Sequence, residues 1–403
     1  MTQTLSTNPA LPRQSLTAGI LGKSLLAVEQ AHRGQVSWHD VMQRLRAVTS
    51  TPIDTGPDSC LYYGGPALLF VLHATTADGV ARFGTARATL TSRVRATLRR
   101  RLDSADARTA TGNFISFGEY DLFKGHVGYA TLLRLVAAGT DEHAAVLGYL
   151  SRLTSPQQIG GEWLPGWWVG HAPDKAMQTP GGHANNGMAH GAAGVLSALA
   201  LAARDGHEVP GQRDAIETLT RWFTQCRQDD ETGSWWPQWL TRDQIRQSAD
   251  GPALASSDDL AQPARPSWCY GTPGIARSLQ LAAIVLQDEA LQRDAEQALL
   301  SSLRQLPSLG EPGICHGIAG LYQTVRRAAA DAHDDKLAQH LPALARTLLS
   351  THDHPGSTPI RQTEDGSFLT GESGVDLADL SGTADLPTGH ENITRWDACL
   401  LLT

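Results

Sequence analysis

The chain has 403 residues, a formal net charge of −8, 41% hydrophobic residues and 18% charged residues. This acidic balance, without an extended basic face, argues against a nucleic-acid-binding protein. The polar segment 1–14 lacks the apolar core of a secretory signal, and no stretch is apolar for long enough to span a bilayer. Five cysteines, an odd number without such a signal, predict reduced thiols and a cytoplasmic location.

A Gly-x-x-Gly motif followed by an apolar helical pattern recurs along the chain. Its copies begin at Gly19, Gly64, Gly125, Gly191, Gly271, Gly317 and Gly371. The second copy is degenerate, because Ala67 occupies its last position. Further helical patterns lie between the copies, whereas strand signals are few. The sequence therefore predicts an all-α fold of seven helix pairs with the glycine-led helices facing inward, in one domain covering 1–403 and no second domain.

Three stretches interrupt the helical pattern, at 155–187, 228–267 and 350–366. The first two are rich in Trp and directly precede motif copies, so we expect irregular loops at one rim of the fold. They either form the wall of a peptide groove or cover the end of a helical barrel. The basic run Arg93–Arg101 favours a solvated helix face, and binding of an acidic peptide is the alternative.

Two motif copies carry residues that bind soft metal ions. Cys269 lies two residues before Gly271, and Cys315-His316 directly precedes Gly317. The two cysteines are 46 residues apart, which excludes a compact zinc finger and requires the fold to bring two loops together. Three protein ligands would leave a fourth position open for chemistry.

The alternative interpretation of these cysteines is that they are small buried apolar residues, where free Cys is usually found. We favour that interpretation for the other three cysteines, Cys60, Cys226 and Cys399, because they lie outside the repeated context. The repeated context of Cys269 and Cys315 favours a metal site.

Four short motifs resemble those of the lanthionine synthetase C-like family, the cyclases of lanthipeptide biosynthesis, and the resemblance extends over nearly the whole chain. They are Trp268-Cys269-Tyr270-Gly271, Cys315-His316-Gly317, Ala189-His190-Gly191 and Tyr120-Asp121. The resemblance implies an α/α toroid of seven inner and seven outer helices with a central Zn²⁺ ion. It also implies that Cys269, Cys315 and His316 bind zinc, that His190 and Asp121 are catalytic, and that Arg265 lines the site.

The activity that this resemblance implies is a Michaelis-type addition of a peptide cysteine thiol to dehydroalanine or dehydrobutyrine, which closes a thioether ring. His190 would transfer a proton, Asp121 would orient His190, and Arg265 would stabilise the enolate oxygen. The alternatives are a structural His190 and a helix-capping Asp121. The expected partners are a dehydrated precursor peptide with its leader and a complex with a dehydratase and a transporter, through which the protein would associate with the membrane. The length resembles that of a stand-alone cyclase.

Three other functions are weighed against this one. The first is addition of glutathione or another small thiol to dehydroamino acids. The second is a non-catalytic scaffold for a precursor peptide and a dehydratase, against which the complete set of metal-binding residues argues. The third is another α/α toroid enzyme, such as a glycosidase, which would need paired carboxylates rather than soft metal ligands.

Overall fold

The computed structural model describes residues 11–173, 179–248, 251–254, 264–353, 367–382 and 393–403. Helices dominate these residues, as predicted. They are α1 (Leu11–Gln14), α2 (Ile20–His32), α3 (Trp38–Val48), α4 (Gly65–Ala74), α5 (Gly84–Ala110), α6 (Phe117–Tyr120), α7 (His126–Val136), α8 (Asp141–Leu153), α9 (Ala192–Arg204), α10 (Gln212–Cys226), α11 (Thr272–Leu286), α12 (Glu289–Ser302), α13 (Ile318–Asp331), α14 (Lys336–Asp353) and α15 (Glu372–Gly382). Within these residues, no helix combines the length and apolar character that crossing a bilayer requires.

Seven helices form a closed inner ring. They are α2, α4, α7, α9, α11, α13 and α15, and each begins one residue after the first glycine of a motif copy. Each packs against the next along the chain, and α15 packs against α2. The predicted inward position of the glycine-led helices is confirmed, since nearly every residue of α9 is buried.

The outer layer consists of α3, α5, α8, α10, α12 and α14, each packed against the inner helix that precedes it in the chain. These helices bury one stripe only. In α10 the stripe contains Ala215, Ile216, Leu219, Trp222, Phe223 and Cys226, at the spacing of one helix face. A seventh outer helix, expected after α15, would fall where residues 383–392 lie outside the described part of the chain.

The second glycine of each motif packs against backbone. A Cβ added at Gly274 would overlap the carbonyl oxygen of Trp268, and one at Gly320 would overlap that of Ile314. The same relation to the residue six positions earlier holds for Gly22, Gly128, Gly194 and Gly374. The motif therefore lets each inner helix start directly against the chain segment that leads into it.

Backbone hydrogen bonds link these entry segments around one end of the ring. The donor and acceptor pairs are Leu16 N to Tyr62 O (2.9 Å), Leu122 N to Ala189 O (3.3 Å), Ala189 N to Cys269 O (3.2 Å), Cys269 N to Cys315 O (3.3 Å), Cys315 N to Leu369 O (2.9 Å) and Phe368 N to Thr17 O (3.1 Å). Because neighbouring repeats are joined at the same point, residues just before each motif face the same end of the toroid.

The segment 396–402 lies inside the inner ring. All residues from Trp396 to Leu402 are fully buried. The Trp268 indole N–H donates to Leu400 O (2.9 Å), the Tyr62 hydroxyl to Cys399 O (2.6 Å) and the Gln323 amide to Asp397 Oδ2 (2.6 Å). The segment thus ties several repeats together from within.

The Trp-rich stretches are more ordered than the predicted irregular loops. They contain β1 (Gln157–Ile159), β2 (Glu162–Leu164), β3 (His183–Asn185), β4 (Gln228–Asp230), β5 (Gly233–Trp235), β6 (Trp239–Thr241), β7 (Ile245–Ser248) and β8 (Gly251–Leu254). These pair in four antiparallel two-stranded sheets, and the β3–β6 pair joins the two stretches. Trp167, Trp168, Trp235 and Trp236 are buried. The Trp167 ring packs against Trp222 of α10 at 5.2 Å between centroids, and the Trp236 indole N–H donates to Phe223 O (2.8 Å) on the same helix. Most of the third stretch, 354–366, lies outside the described residues.

The basic run on α5 is not simply a solvated face. Arg95 and Arg99 pair with the buried carboxylate of Glu142. Arg101 donates hydrogen bonds to the carbonyl oxygens of Gly118 (2.6 Å), in α6, and Lys124 (2.5 Å), in the loop between α6 and α7. Arg93, Arg99 and Arg100 are nevertheless exposed, as expected for a solvated helix face.

Candidate metal centre and active site

The three predicted metal ligands lie together. One donor atom from each of Cys269, Cys315 and His316 falls within 4.8 Å of the others. They occupy the entry segments of α11 and α13, and the hydrogen bond from Cys269 N to Cys315 O holds those segments side by side. Cys60, Cys226 and Cys399 are buried elsewhere, as predicted for small apolar residues, and all five cysteines are free thiols.

The three donors influence one another's protonation. Interaction with the neighbouring Cys315 thiol and His316 imidazole holds the pKa of the Cys269 thiol well below its usual value. Interaction with Cys269 in turn raises the pKa of the Cys315 thiol and that of His316. Once both thiols are deprotonated, two cysteine sulfurs and one imidazole form a donor set that zinc prefers.

A second pair of predicted residues meets beside this cluster. His190 Nδ1 lies 2.6 Å from Asp121 Oδ2. The other carboxylate oxygen, Oδ1, accepts hydrogen bonds from the backbone N–H groups of Lys124 (2.6 Å) and Gly125 (2.9 Å). These three contacts, to His190 and to two backbone N–H groups, fix the orientation of the Asp121 carboxylate, which is buried. The side chain therefore both closes the turn before α7, as the capping interpretation expects, and contacts His190.

Aromatic rings surround the imidazole of His190. The ring of Phe123 stacks on it at 5.0 Å between centroids, and Tyr62 stacks on the far side of Phe123 at 4.3 Å. Tyr270, the neighbour of Cys269, places its ring 6.0 Å from that of His190. These contacts fix the plane of the imidazole and place it next to the loop that carries Cys269.

Sequence reasoning missed Tyr62 and Phe123. Both lie two residues before the first glycine of their motif copy, as Cys269 and Cys315 do. The signal that could have found them is the position within the repeat, because the ring brings equivalent positions to the same end of the toroid.

Arg265 lies at the edge of the cluster, and 48% of its side chain is exposed. Its guanidinium NH1 is 3.5 Å from Glu311 Oε1. The other oxygen, Glu311 Oε2, is 2.6 Å from Nε2 of His316. Glu311 was also missed from the sequence, although it stands six residues before Gly317, as Arg265 stands six before Gly271.

The family model described as "Lanthionine synthetase C-like protein" matches residues 13–386. The chain therefore belongs to the lanthionine synthetase C-like family. Among solved structures it is similar to nisin cyclase, with a TM-score of 0.77 and 19% sequence identity over 97% of this chain and 92% of that chain. That likeness confirms the α/α toroid. A comparison with curated protein sequences gave no match.

Proposed function

We propose that this protein is a zinc-dependent lanthipeptide cyclase. It adds cysteine thiols of a dehydrated precursor peptide to dehydroalanine or dehydrobutyrine and so forms lanthionine or methyllanthionine rings. The observation that carries the proposal is the convergence of Cys269, Cys315 and His316 beside the His190–Asp121 pair, in a member of the lanthionine synthetase C-like family.

Cys269, Cys315 and His316 would hold the ion and leave one position open for the substrate. A bound zinc ion supplies Lewis acidity, which lowers the pKa of a substrate thiol so that the nucleophilic thiolate forms at neutral pH. The surrounding residues then orient the peptide and move protons.

In the addition, the substrate thiol gives up its proton, its sulfur forms a bond to Cβ, the C=C π electrons move to an enolate, and Cα then takes up one proton, so that no proton is gained or lost overall. Asp121 holds His190 through Nδ1, which leaves Nε2 for the proton transfer to Cα. The guanidinium of Arg265, at the edge of the same cluster, stabilises the negative oxygen of the enolate. Phe123 and Tyr270 restrict the imidazole to the orientation that this transfer needs.

The closed ring supports the proposal that residues 1–403 act as one domain. A precursor peptide bearing a leader is the substrate that this chemistry requires. A cytoplasmic location and a complex with a dehydratase and a transporter stay predictions from the sequence.

The test measures zinc and cyclisation in the same preparation. Zinc per chain is determined by elemental analysis in protein purified without added metal. A peptide carrying a leader, one cysteine and one dehydroalanine is then incubated with the protein, and thiols left free are alkylated and counted by mass spectrometry. We expect about one zinc per chain, as for a three-ligand site, and loss of the free thiol.

A folded, zinc-loaded protein that leaves the thiol free at the rate of a protein-free control contradicts the proposal. A parallel reaction with glutathione and a cysteine-free dehydroalanine peptide separates the small-thiol alternative, since only that activity adds the mass of glutathione. If neither reaction occurs and no zinc binds, the scaffold alternative is favoured.

A further inference from the structure

Glu311 connects two residues of the candidate centre. Its two carboxylate oxygens have different partners, since Oε2 lies 2.6 Å from His316 Nε2 and Oε1 lies 3.5 Å from Arg265 NH1. One side chain therefore contacts both a candidate metal ligand and the guanidinium assigned to the enolate oxygen.

The backbone at Glu311 is fixed by the start of α13. Its carbonyl oxygen accepts a hydrogen bond from Ile318 N (3.0 Å), and a Cβ added at Gly317 would overlap that oxygen. The Glu311 backbone thus lies directly below the helix start that follows His316. Although 55% of the Glu311 side chain is exposed, its backbone is hydrogen-bonded to the start of the helix that follows His316.

We propose that Glu311 is a positioning residue of the metal centre. It accepts the Nε2–H bond of His316, which fixes the tautomer and leaves Nδ1 as the nitrogen that binds the metal ion. It also restrains Arg265 at the same edge. This inference rests on the proposed zinc site and adds a residue that acts through His316 rather than on the substrate.

The contact of Glu311 with His316 should affect metal affinity, whereas an ordinary surface ion pair affects only folding stability, and that weakly. An exposed pair between Arg and Glu contributes little to folding, so loss of the Arg265 contact alone should leave stability nearly unchanged. A carboxylate that holds a metal-binding imidazole instead affects metal affinity, typically by about 10- to 100-fold when it is removed.

The experiment compares Glu311→Ala, Glu311→Gln and the control Glu217→Ala, whose exposed glutamate pairs with Arg213 on α10. Zinc dissociation constants are measured by competition with a chelating dye. We expect Glu311→Ala to bind zinc about 10- to 100-fold more weakly. Glu311→Gln should lose less, because its amide oxygen still accepts from Nε2–H, and Glu217→Ala should match the wild type.

A second measurement identifies the liganding nitrogen. Long-range proton–nitrogen correlation spectra of ¹⁵N-histidine-labelled protein, recorded with and without zinc, should place the metal on Nδ1 of the histidine that responds. Zinc affinity of Glu311→Ala within twofold of the wild type, or metal on Nε2, overturns the role of Glu311 while the proposed function stands. A wild-type protein that binds no zinc overturns both proposals.

Discussion

His190 and Asp121 are 69 residues apart in the chain, and Nδ1 of His190 lies 2.6 Å from a carboxylate oxygen of Asp121. Each precedes an inner helix, in consecutive repeats. The backbone bond from Leu122 N to Ala189 O (3.3 Å) joins the two entry segments at the adjacent residues. The contact therefore depends on the packing of two consecutive repeats rather than on any single local element.

The first prediction concerns this contact. Asp121→Asn should keep zinc but lower the cyclisation rate by about 10²- to 10⁴-fold, the usual contribution of a positioned proton donor or acceptor. The amide can present an N–H group to Nδ1, which favours the wrong tautomer of His190. The measurement is the rate of free-thiol loss in zinc-loaded protein. Asp106→Asn, an exposed carboxylate paired with Arg152, is the matched control. Wild-type rates for Asp121→Asn would contradict the assigned role of the pair.

The second prediction concerns the metal ligands. Cys315→Ala should lose most bound zinc, because two donors remain where a stable site needs three or four. Cys226→Ala, which removes a fully buried thiol on α10, should retain zinc at the wild-type level. Zinc per chain after gel filtration separates the two variants. Equal zinc in both folded proteins would mean that the cluster at Cys269 is not the binding site.

The repeat could be predicted from the sequence because the close packing at the start of each inner helix requires a small residue there. Each inner helix begins beside a backbone carbonyl, so only a small residue is tolerated, and the glycines mark seven helix starts. The metal ligands could be predicted because two cysteines and a histidine all occur directly before the first glycine of a motif copy, at one or two residues' distance. The chemistry of these residue types singles them out even before the fold is known.

Glu311, Tyr62 and Phe123 were missed because their residue types are common on surfaces and in cores. Only the closed ring, in which equivalent positions meet, gives them a place in the site. The short strands were missed for a different reason, since three or four residues are too few to show an alternating pattern. One turn signal was present, because Gly160 and Gly161 both have positive φ angles in the β1–β2 hairpin.

The third prediction tests the close approach of helix and backbone. Gly320→Ala should destabilise the fold by about 1–3 kcal/mol or more, because the added methyl group overlaps the carbonyl oxygen of Ile314. Since Ile314 adjoins Cys315, zinc affinity should fall as well. Gly310→Ala is the control, because nothing lies within 4 Å of its added Cβ. Urea unfolding of metal-free protein and dye competition measure the two effects. Equal stability and equal zinc affinity of the two variants would show that the entry segment shifts to accommodate the added methyl group.

The last prediction concerns pH. His126 and His183 are fully buried, and burial lowers the pKa of His126 to about 3 and that of His183 to about 4. In the unfolded chain both titrate near pH 6.5, so between pH 6.5 and 4 the unfolded state binds protons that the folded state does not. The free energy of unfolding should therefore fall as the pH decreases, by about 2 kcal/mol for each histidine at pH 5.

Urea unfolding at pH 7 and pH 5 measures this loss, with the metal removed because zinc binding also depends on pH. His126→Asn should reduce the loss, since an amide N–H can still donate to the Glu119 carbonyl that Nδ1 contacts, and no titrating group remains. His39→Gln, which removes an exposed histidine, is the control variant. If His126→Asn shows the full wild-type loss, His126 is protonated in the folded state, and its burial among apolar neighbours does not keep it neutral.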